Sequence, residues 1–203
     1  QLFSSPVLWG DLHVRLGSTG RQEEAFCRWL SDRRSAVQWL HIERAEPLAV
    51  PRRLLALSGS RLLHLELTRA SFHVACTLPR LPWLQRLVLR ECSYVPNVVT
   101  PALPMTFPAL VALECYHCHS IEAAFGALRH LQHFTRLCLV GCYLHHVPLQ
   151  LSELQGLREL DLGGNSQLNG EGLQHATGLT ALGLSGCRLA TMPPQLSSLS
   201  SLQ

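Results

Sequence analysis

Few residues in this 203-residue sequence have types and spacings that suggest chemistry. Cys-Tyr-His-Cys-His at residues 115–119 matches the Cys-x-x-Cys-His string through which haem is covalently attached. The two sulfurs and two imidazoles of that stretch are also the donor types of a tetrahedral zinc site. Further along, His145 and His146, together with His130 and His133, could bind a metal ion at the surface. Whether any of these groups converges depends on the elements that carry them.

The sequence gives less support to hydrolysis or phosphate binding than to the haem and metal candidates. We recognise no phosphate-binding loop, paired-carboxylate motif or catalytic signature. Ser185 could act as a nucleophile only beside a histidine base, and no surrounding motif supplies one. We therefore expect a protein that is not an enzyme.

All of these candidates lie within a nine-residue pattern that recurs along the chain. At residues 157–165, leucine occupies the first, fourth and sixth positions and asparagine the ninth. Copies begin at residues 9, 37, 62, 84, 110, 134, 157, 179 and 202. This pattern and period resemble the strand and turn of a leucine-rich repeat. The resemblance implies an α/β fold over residues 9–203, a curved horseshoe-shaped solenoid with a parallel concave sheet and a mixed helical and irregular convex side.

The segments between copies predict how the convex side is built. Ala25, Phe26, Trp29 and Leu30 recur at helical spacing and predict a helix of three to four turns after the first strand. Residues 119–133 also have an apolar helical face, whereas residues 93–109 contain four prolines and should hold no helix. A short helix is expected near residues 51–57. After Leu144, the proline spacing favours extended or single-turn segments.

The repeat frame argues against the haem and zinc interpretations. It directs Cys115 and Cys118 into the core, so the side chains of residues 115–119 do not converge on one ligand. Cys92, Cys142 and Cys187 share the ninth position with Cys118 and Asn165, where an inward side chain satisfies backbone groups. These packing roles favour a reducing, intracellular setting, cytoplasmic or nuclear. Cys138 differs, since the frame exposes it on the sheet, where it is either an ordinary half-exposed cysteine or a reactive thiol.

The third, fifth, seventh and eighth positions of each copy are expected to face the concave side. In the first half of the solenoid these positions hold aromatic, histidine, arginine and glutamate residues. Of these types, tryptophan, tyrosine and arginine dominate binding energy at interfaces. We predict that a protein or peptide binds there, with no cofactor or metal involved. The alternative is an ordinary solvated strand face. The predicted contact residues are Trp39, His41, Glu43, Arg44, His64, Glu66, Arg69, Arg86, Arg90, Glu114, Tyr116, His117 and Arg136.

Composition limits the other classes of partner. All 17 basic residues are arginine, the formal net charge is +3, and 15% of the residues are charged. This balance is far below that of a nucleic-acid-binding surface. No apolar run approaches the roughly 18 to 20 residues that cross a membrane, so we expect neither nucleic acid nor membrane as a partner.

The first residues carry a second resemblance. Ser5, Pro6, Leu8 and Trp9 match a Ser-Pro-x-Leu-Trp string, and residues 1–17 resemble the tail of an F-box merging into the first strand. The whole is similar to plant and green-algal F-box leucine-rich-repeat proteins. The resemblance implies substrate recognition for a cullin-type ubiquitin ligase, with an adaptor held by residues preceding this chain. The last copy breaks off after Leu202, so we expect a longer protein. A structural scaffold, a GTPase-regulating domain and an immune-sensor repeat domain remain alternatives.

Overall fold

The computed structural model describes residues 11–16, 20–33, 35–49, 57–71, 79–93, 103–119, 121, 125–189, 191 and 193–203. Within these residues, one parallel sheet contains eight strands in the order of the sequence. Its strands are β1 (Asp11–Leu16), β2 (Trp39–Ala49), β3 (His64–Ser71), β4 (Arg86–Arg90), β5 (Ala112–Tyr116), β6 (Arg136–Val140), β7 (Glu159–Asp161) and β8 (Ala181–Gly183).

Every strand begins at the third position of a sequence copy, so the nine-residue pattern locates the sheet. The register is continuous: the fourth-position leucines pair across neighbouring strands, as Leu87 does with Leu113 and Leu113 with Leu137. Parallel neighbours require the chain to cross over between strands. The described parts of these crossovers pack against the inward leucines behind the sheet, and the prediction of a parallel solenoid is confirmed.

The core lies between the sheet and these crossovers. Leucines at the first, fourth and sixth positions are almost fully buried over most of the chain, including Leu87, Leu137 and Leu160. The crossovers contribute Phe107 and Ile121 to the same cluster. Since each repeat buries its apolar side chains against the next, the core extends continuously along the solenoid.

The convex side contains one long helix and several single turns. Helix α1 (Gly20–Arg33) confirms the first predicted helix, with Phe26 and Leu30 buried, although Ala25 is exposed. Helix α3 (Phe125–Leu128) is one turn of the helix predicted over 119–133, of which residues 120 and 122–124 lie outside the described part. Single-turn 3-10 helices at 149–153, 173–175 and 194–198 confirm the expectation for the last repeats.

The expectation of no helix at residues 93–109 was wrong. A single turn, α2, spans Leu103–Thr106. Its proline, Pro104, lies in the first turn, where a helix has no intrahelical acceptor for the backbone N–H that proline lacks. A proline in the first turn is therefore compatible with a short helix.

The ninth position forms a ladder of hydrogen bonds behind the sheet. The Sγ of Cys118 donates to the carbonyl oxygen of Leu89 at 3.4 Å, and the Nδ2 of Asn165 donates to that of Leu139 at 2.8 Å. Each acceptor is the sixth-position residue of the preceding repeat. Cys92, Cys142 and Cys187 make the equivalent bond. The inward packing role predicted for these cysteines is confirmed, and burial raises the pKa of the Cys187 thiol.

The eighth position adopts a left-handed backbone in six consecutive repeats. The φ angles are positive at Arg69, Glu91, His117, Gly141, Gly164 and Gly186, between 51° and 72°. A side chain is disfavoured in this region of conformational space, and glycine is not. The chain therefore turns sharply at the carboxyl edge of the sheet, with side chains projecting only from the first three of these positions.

Some sequence predictions fall outside the described residues. These are the F-box-like segment before Asp11 and most of the short helix near 51–57. Over the described ranges, no helix is both long and apolar enough to cross a bilayer.

Candidate functional site: the concave face of the sheet

The concave face is built from the third, fifth and seventh positions of each copy, which the register aligns into columns. In the fifth-position column, His41 lies beside Glu66, Glu66 beside Val88, and Val88 beside Glu114. Third- and seventh-position residues flank this column on both sides. Because the strand spacing is under 5 Å, long side chains from neighbouring strands can meet above it.

Stacked rings cover the first strands of this face. The rings of His13 and His41 stack with centroids 4.2 Å apart, and those of Trp39 and His64 with centroids 4.5 Å apart and planes 5° from parallel. Trp39 is 45% exposed. It thus presents a flat apolar surface to solvent while covering His64.

Glu66 holds together the side chains of three strands. Its carboxylate accepts a hydrogen bond from the Nε of Arg90 and lies 3.9 Å from the ring nitrogens of both His41 and His64. His41 Nε2 also lies 3.0 Å from the hydroxyl of Thr68. Burial lowers the pKa of His41 and that of His64 despite this carboxylate, so both rings favour the neutral form.

Glu114 forms a second centre two strands further along. It accepts hydrogen bonds of 2.8 Å from the Nε and Nη2 of Arg86, and one of 3.0 Å from the hydroxyl of Tyr116. The Nε of Arg136 lies 3.4 Å away. Burial opposes ionisation of this carboxyl, but the hydrogen bonds from Arg86 and Tyr116 outweigh it and lower the pKa of Glu114.

The charges of these clusters are layered. The side chains of Arg86, Arg90 and Arg136 are 41%, 41% and 48% exposed, whereas those of Glu66 and Glu114 are 19% and 1% exposed. Arg90 also lies over the ring of Tyr116, 4.1 Å from its centroid. The carboxylates therefore orient the guanidinium groups from beneath, and a partner meets arginine and aromatic surface.

A further charged cluster, separate from those around Glu66 and Glu114, lies at the carboxyl edge of the sheet. Glu43 lies 3.5 Å from the Nη2 of Arg69 and 3.8 Å from that of Arg15, and Glu91 lies 3.4 Å from the Nε of Arg69. Arg44 is in β2, but its side chain is outside the described part.

The concave surface recedes over the last strands. Ala181 and Gly183 leave a depression of about 270 Å³ beside Glu159, Asp161 and Arg136. Arg136 Nη1 contacts Glu159 at 2.7 Å, and the Oδ1 of Asp161 accepts a hydrogen bond of 3.0 Å from the backbone N–H of Gly163. The predicted contact residues end at Arg136, so the sequence did not indicate this depression.

Comparisons with known proteins rest on structure alone. No protein-family model matches the sequence, and no curated protein matches it. Among solved structures, the chain is similar to a chain of the mouse RP105/MD-1 complex, with 18% identity and a TM-score of 0.59 over 87% of this chain and 31% of that one. An internalin, InlF, of Listeria monocytogenes matches with 16% identity and a TM-score of 0.55, over 86% of this chain and 55% of that one.

The plant peptide hormone receptor RGFR1, solved in complex with RGF2, matches with 15% identity and a TM-score of 0.50. That match covers 95% of this chain and 34% of the receptor chain. These neighbours are all leucine-rich repeat proteins. The fold is a leucine-rich repeat horseshoe. The chain spans between about a third and just over half of the length of these neighbours.

In this leucine-rich repeat frame, the predicted contact residues divide by exposure. Most reach solvent at least in part, but His64 and Glu114 are buried. Cys138 and Val88, also expected to be exposed, are buried too. The repeat frame correctly predicts which face a side chain points to, but it does not predict the solvent exposure of that side chain. Exposure depends on the long side chains of adjacent strands that lie over it. Burial raises the pKa of the Cys138 thiol, which disfavours the reactive thiolate.

The metal candidates of the sequence do not assemble. Cys115 and Cys118 are buried in the core as predicted, while His117 and His119 are exposed. His119 stacks on Tyr143 with centroids 4.7 Å apart. Over the part of the chain that the structure describes, no group of three or more His, Cys, Asp or Glu residues is placed to hold a metal ion.

Proposed function

We propose that this leucine-rich repeat solenoid is a recognition module that binds a protein or peptide on its concave face, over β2 to β6. The observation that carries the proposal is the layered arrangement of charge. Glu66 and Glu114 fix the arginines above them, so a partner would not have to order these side chains on binding. Pre-organisation of this kind reduces the entropic cost of association.

The chemistry of the surface favours a protein partner over a small molecule. Trp39 is a rigid exposed aromatic, and Tyr116 with Arg90 forms a stacked pair. Tryptophan, tyrosine and arginine dominate the energy of protein interfaces. The depressions along the face are open and shallow in comparison with enclosed ligand pockets. The complexes of RP105 with MD-1 and of RGFR1 with RGF2 give the same kind of role to two neighbours of this fold.

The experiment compares the wild type with the triple variant Trp39→Ala, Arg69→Ala, Arg90→Ala. Each is immobilised and exposed to extract, and retained proteins are identified by mass spectrometry. We expect the variant to lose the partner while remaining folded, as judged by a cooperative thermal melt, since all three side chains are partly exposed. Arg129→Ala, an exposed arginine outside the concave face, is the matched control. Retention of the same proteins by the wild type and the triple variant would contradict the proposal.

A finer proposal concerns the pathway. We propose that the bound protein is a substrate of a cullin-type ubiquitin ligase in the cytoplasm or nucleus, with an adaptor bound by residues preceding this chain. Its support is the resemblance of residues 1–17 to the tail of an F-box. The alternatives are a scaffold subunit, a GTPase-regulating domain or an immune-sensor repeat domain. Sequencing and co-purification of the full-length protein separate them: a Skp-type adaptor supports the ligase, and a nucleotide-binding module upstream contradicts it.

A further inference from the structure

The charges that reach solvent on the concave face are separated along the sheet. Over β4 and β5 the exposed layer consists of guanidinium groups, because their carboxylate partners lie beneath. Over β7 the charges that reach solvent are Glu159, which is paired with Arg136, and the partly exposed Asp161. A segment lying across the sheet would therefore meet basic groups first and acidic groups about three strands later.

Arg90 has most of its hydrogen-bonding capacity unused. A guanidinium has five N–H donors, and Arg90 uses only Nε, on Glu66. Among the described residues, its Nη1 and Nη2 and the Nη1 of Arg86 make no hydrogen bond or ion pair. Both residues lie on one face of β4, four positions apart, which is about 13 Å along the strand, so each arginine offers its own open donors. A carboxylate can accept from such donors in pairs.

Asp161 offers the complementary group. No basic side chain of the described residues lies within ion-pair distance of its carboxylate, and only Oδ1 is engaged, by the Gly163 N–H. A Cβ at Gly183 would lie 2.5 Å from that oxygen, so glycine is needed there to keep the carboxylate in place. The depression of about 270 Å³ beside it is open and lined by Ala181, Gly183, Glu159 and Arg136. The guanidinium of Arg136 is already paired with Glu159, which leaves Asp161 as the acid without a basic partner.

We propose that the occupant of the concave face is an extended peptide segment with an acidic side chain over Arg90 and a basic side chain in the depression beside Asp161. This inference rests on the proposed function and specifies its partner. Strands lie about 4.8 Å apart, so β4 and β7 are separated by about 14 Å, and an extended chain rises about 3.3 Å per residue. The two charged residues are therefore about four positions apart.

The probe is acetyl-Glu-Ser-Ser-Ser-Arg-amide, titrated into the ¹⁵N-labelled protein and followed by NMR. Two further peptides replace either its glutamate or its arginine with glutamine. We expect saturable shifts at the amides of Arg90 and Gly163. Arg90→Gln should reduce the affinity for the charged peptide about twofold to fivefold, the range of an exposed ion pair. It should not reduce the affinity for the peptide that lacks glutamate. Asp161→Asn should act in the same way through the peptide's arginine.

The matched control is Arg129→Gln, which removes an exposed arginine that contacts Glu153 elsewhere on the solenoid. Equal weakening by this control, or shifts away from β4 and β7, would overturn the inference in favour of unspecific charge attraction. A wild-type dimer by sedimentation that Arg90→Gln dissociates would overturn it in favour of a second copy. If the peptide does not bind while the triple variant still loses its protein partner, the inference is wrong and the proposed function is unaffected.

Discussion

The carboxylate of Glu114 lies beneath the guanidinium of Arg86 and is joined to it by two hydrogen bonds of 2.8 Å. One partner is almost fully buried and the other is 41% exposed. The buried acid therefore acts as a support for the arginine, and removing it should affect both stability and the shape of the surface.

We predict that Glu114→Gln lowers the free energy of unfolding by about 1 to 3 kcal/mol, the cost of leaving charged donors without their buried acceptor. Urea denaturation measures this change. Glu153→Gln removes the partner of Arg129 in an exposed pair and should cost less than about 0.5 kcal/mol. Equal losses in the two variants would show that Glu114 is not a specific support.

The same residue should give acid sensitivity. Because the folded pKa of Glu114 is below its usual value of 4.5, its stabilising effect is fully present above that pH. It is lost as pH falls through the folded value, where the native carboxylate also becomes protonated. The stability difference between wild type and Glu114→Gln should therefore shrink on acidification from pH 5 to pH 3. A constant difference over this range would contradict the assignment.

His41 and His64 should make the stability depend on pH at higher pH values than Glu114 does. Burial lowers both pKa values below 6.5, so the unfolded chain binds protons first as the pH falls. Stability is then fully present above pH 6.5 and declines below it. The double variant His41→Gln, His64→Gln should lose less stability between pH 7.5 and 5.5 than wild type in matched thermal melts. His146→Gln, which changes an exposed histidine, should behave as wild type.

The left-handed eighth position allows a test with two glycines. Gly164→Ala should cost about 1 to 2 kcal/mol, the penalty of a side chain in that backbone region. Gly141→Ala should cost slightly more, because the exposed ring of His117, whose Nδ1 would lie 2.5 Å from the new Cβ, must rotate away, whereas the nearest atom to a Cβ at Gly164 is 3.4 Å away. Adding His117→Ala should remove the extra cost. Equal unfolding free energies for the two single variants would contradict this account.

Asn165 and the ninth-position cysteines should be partly interchangeable. Asn165 donates to Leu139 and Leu162 and accepts from the backbone N–H of Leu144, whereas a cysteine supplies a single weaker donor. Asn165→Ala leaves these buried groups unpaired and should cost about 2 to 4 kcal/mol. Asn165→Cys should cost less, as judged by chemical denaturation. If alanine were tolerated as well as cysteine, the ladder would not contribute to stability.

The nine-residue pattern predicted much of this molecule and left specific parts open. The start of every described strand follows from the leucine spacing, because only inward leucines at fixed intervals let neighbouring repeats share a core. The burial of Glu114 and Cys138 could not be predicted, since it depends on how arginines from adjacent strands fold over the sheet. The helical turn at Leu103–Thr106 was missed because proline, which interrupts the interior of a helix, is tolerated in the first turn of a short one. The binding role of the thirteen predicted contact residues stays a prediction.

The order of the strands has a further consequence. Among the described strands, each pairs only with its sequence neighbours, so no strand pairing joins β1 to β8. Amide protons near β8, whose Leu182 and Leu184 are only partly buried, should exchange with deuterium sooner than those of β4 and β5. Local unfolding would then proceed one repeat at a time from β8. It would slow at Glu114, whose contacts with Arg86 and Arg136 join β4, β5 and β6.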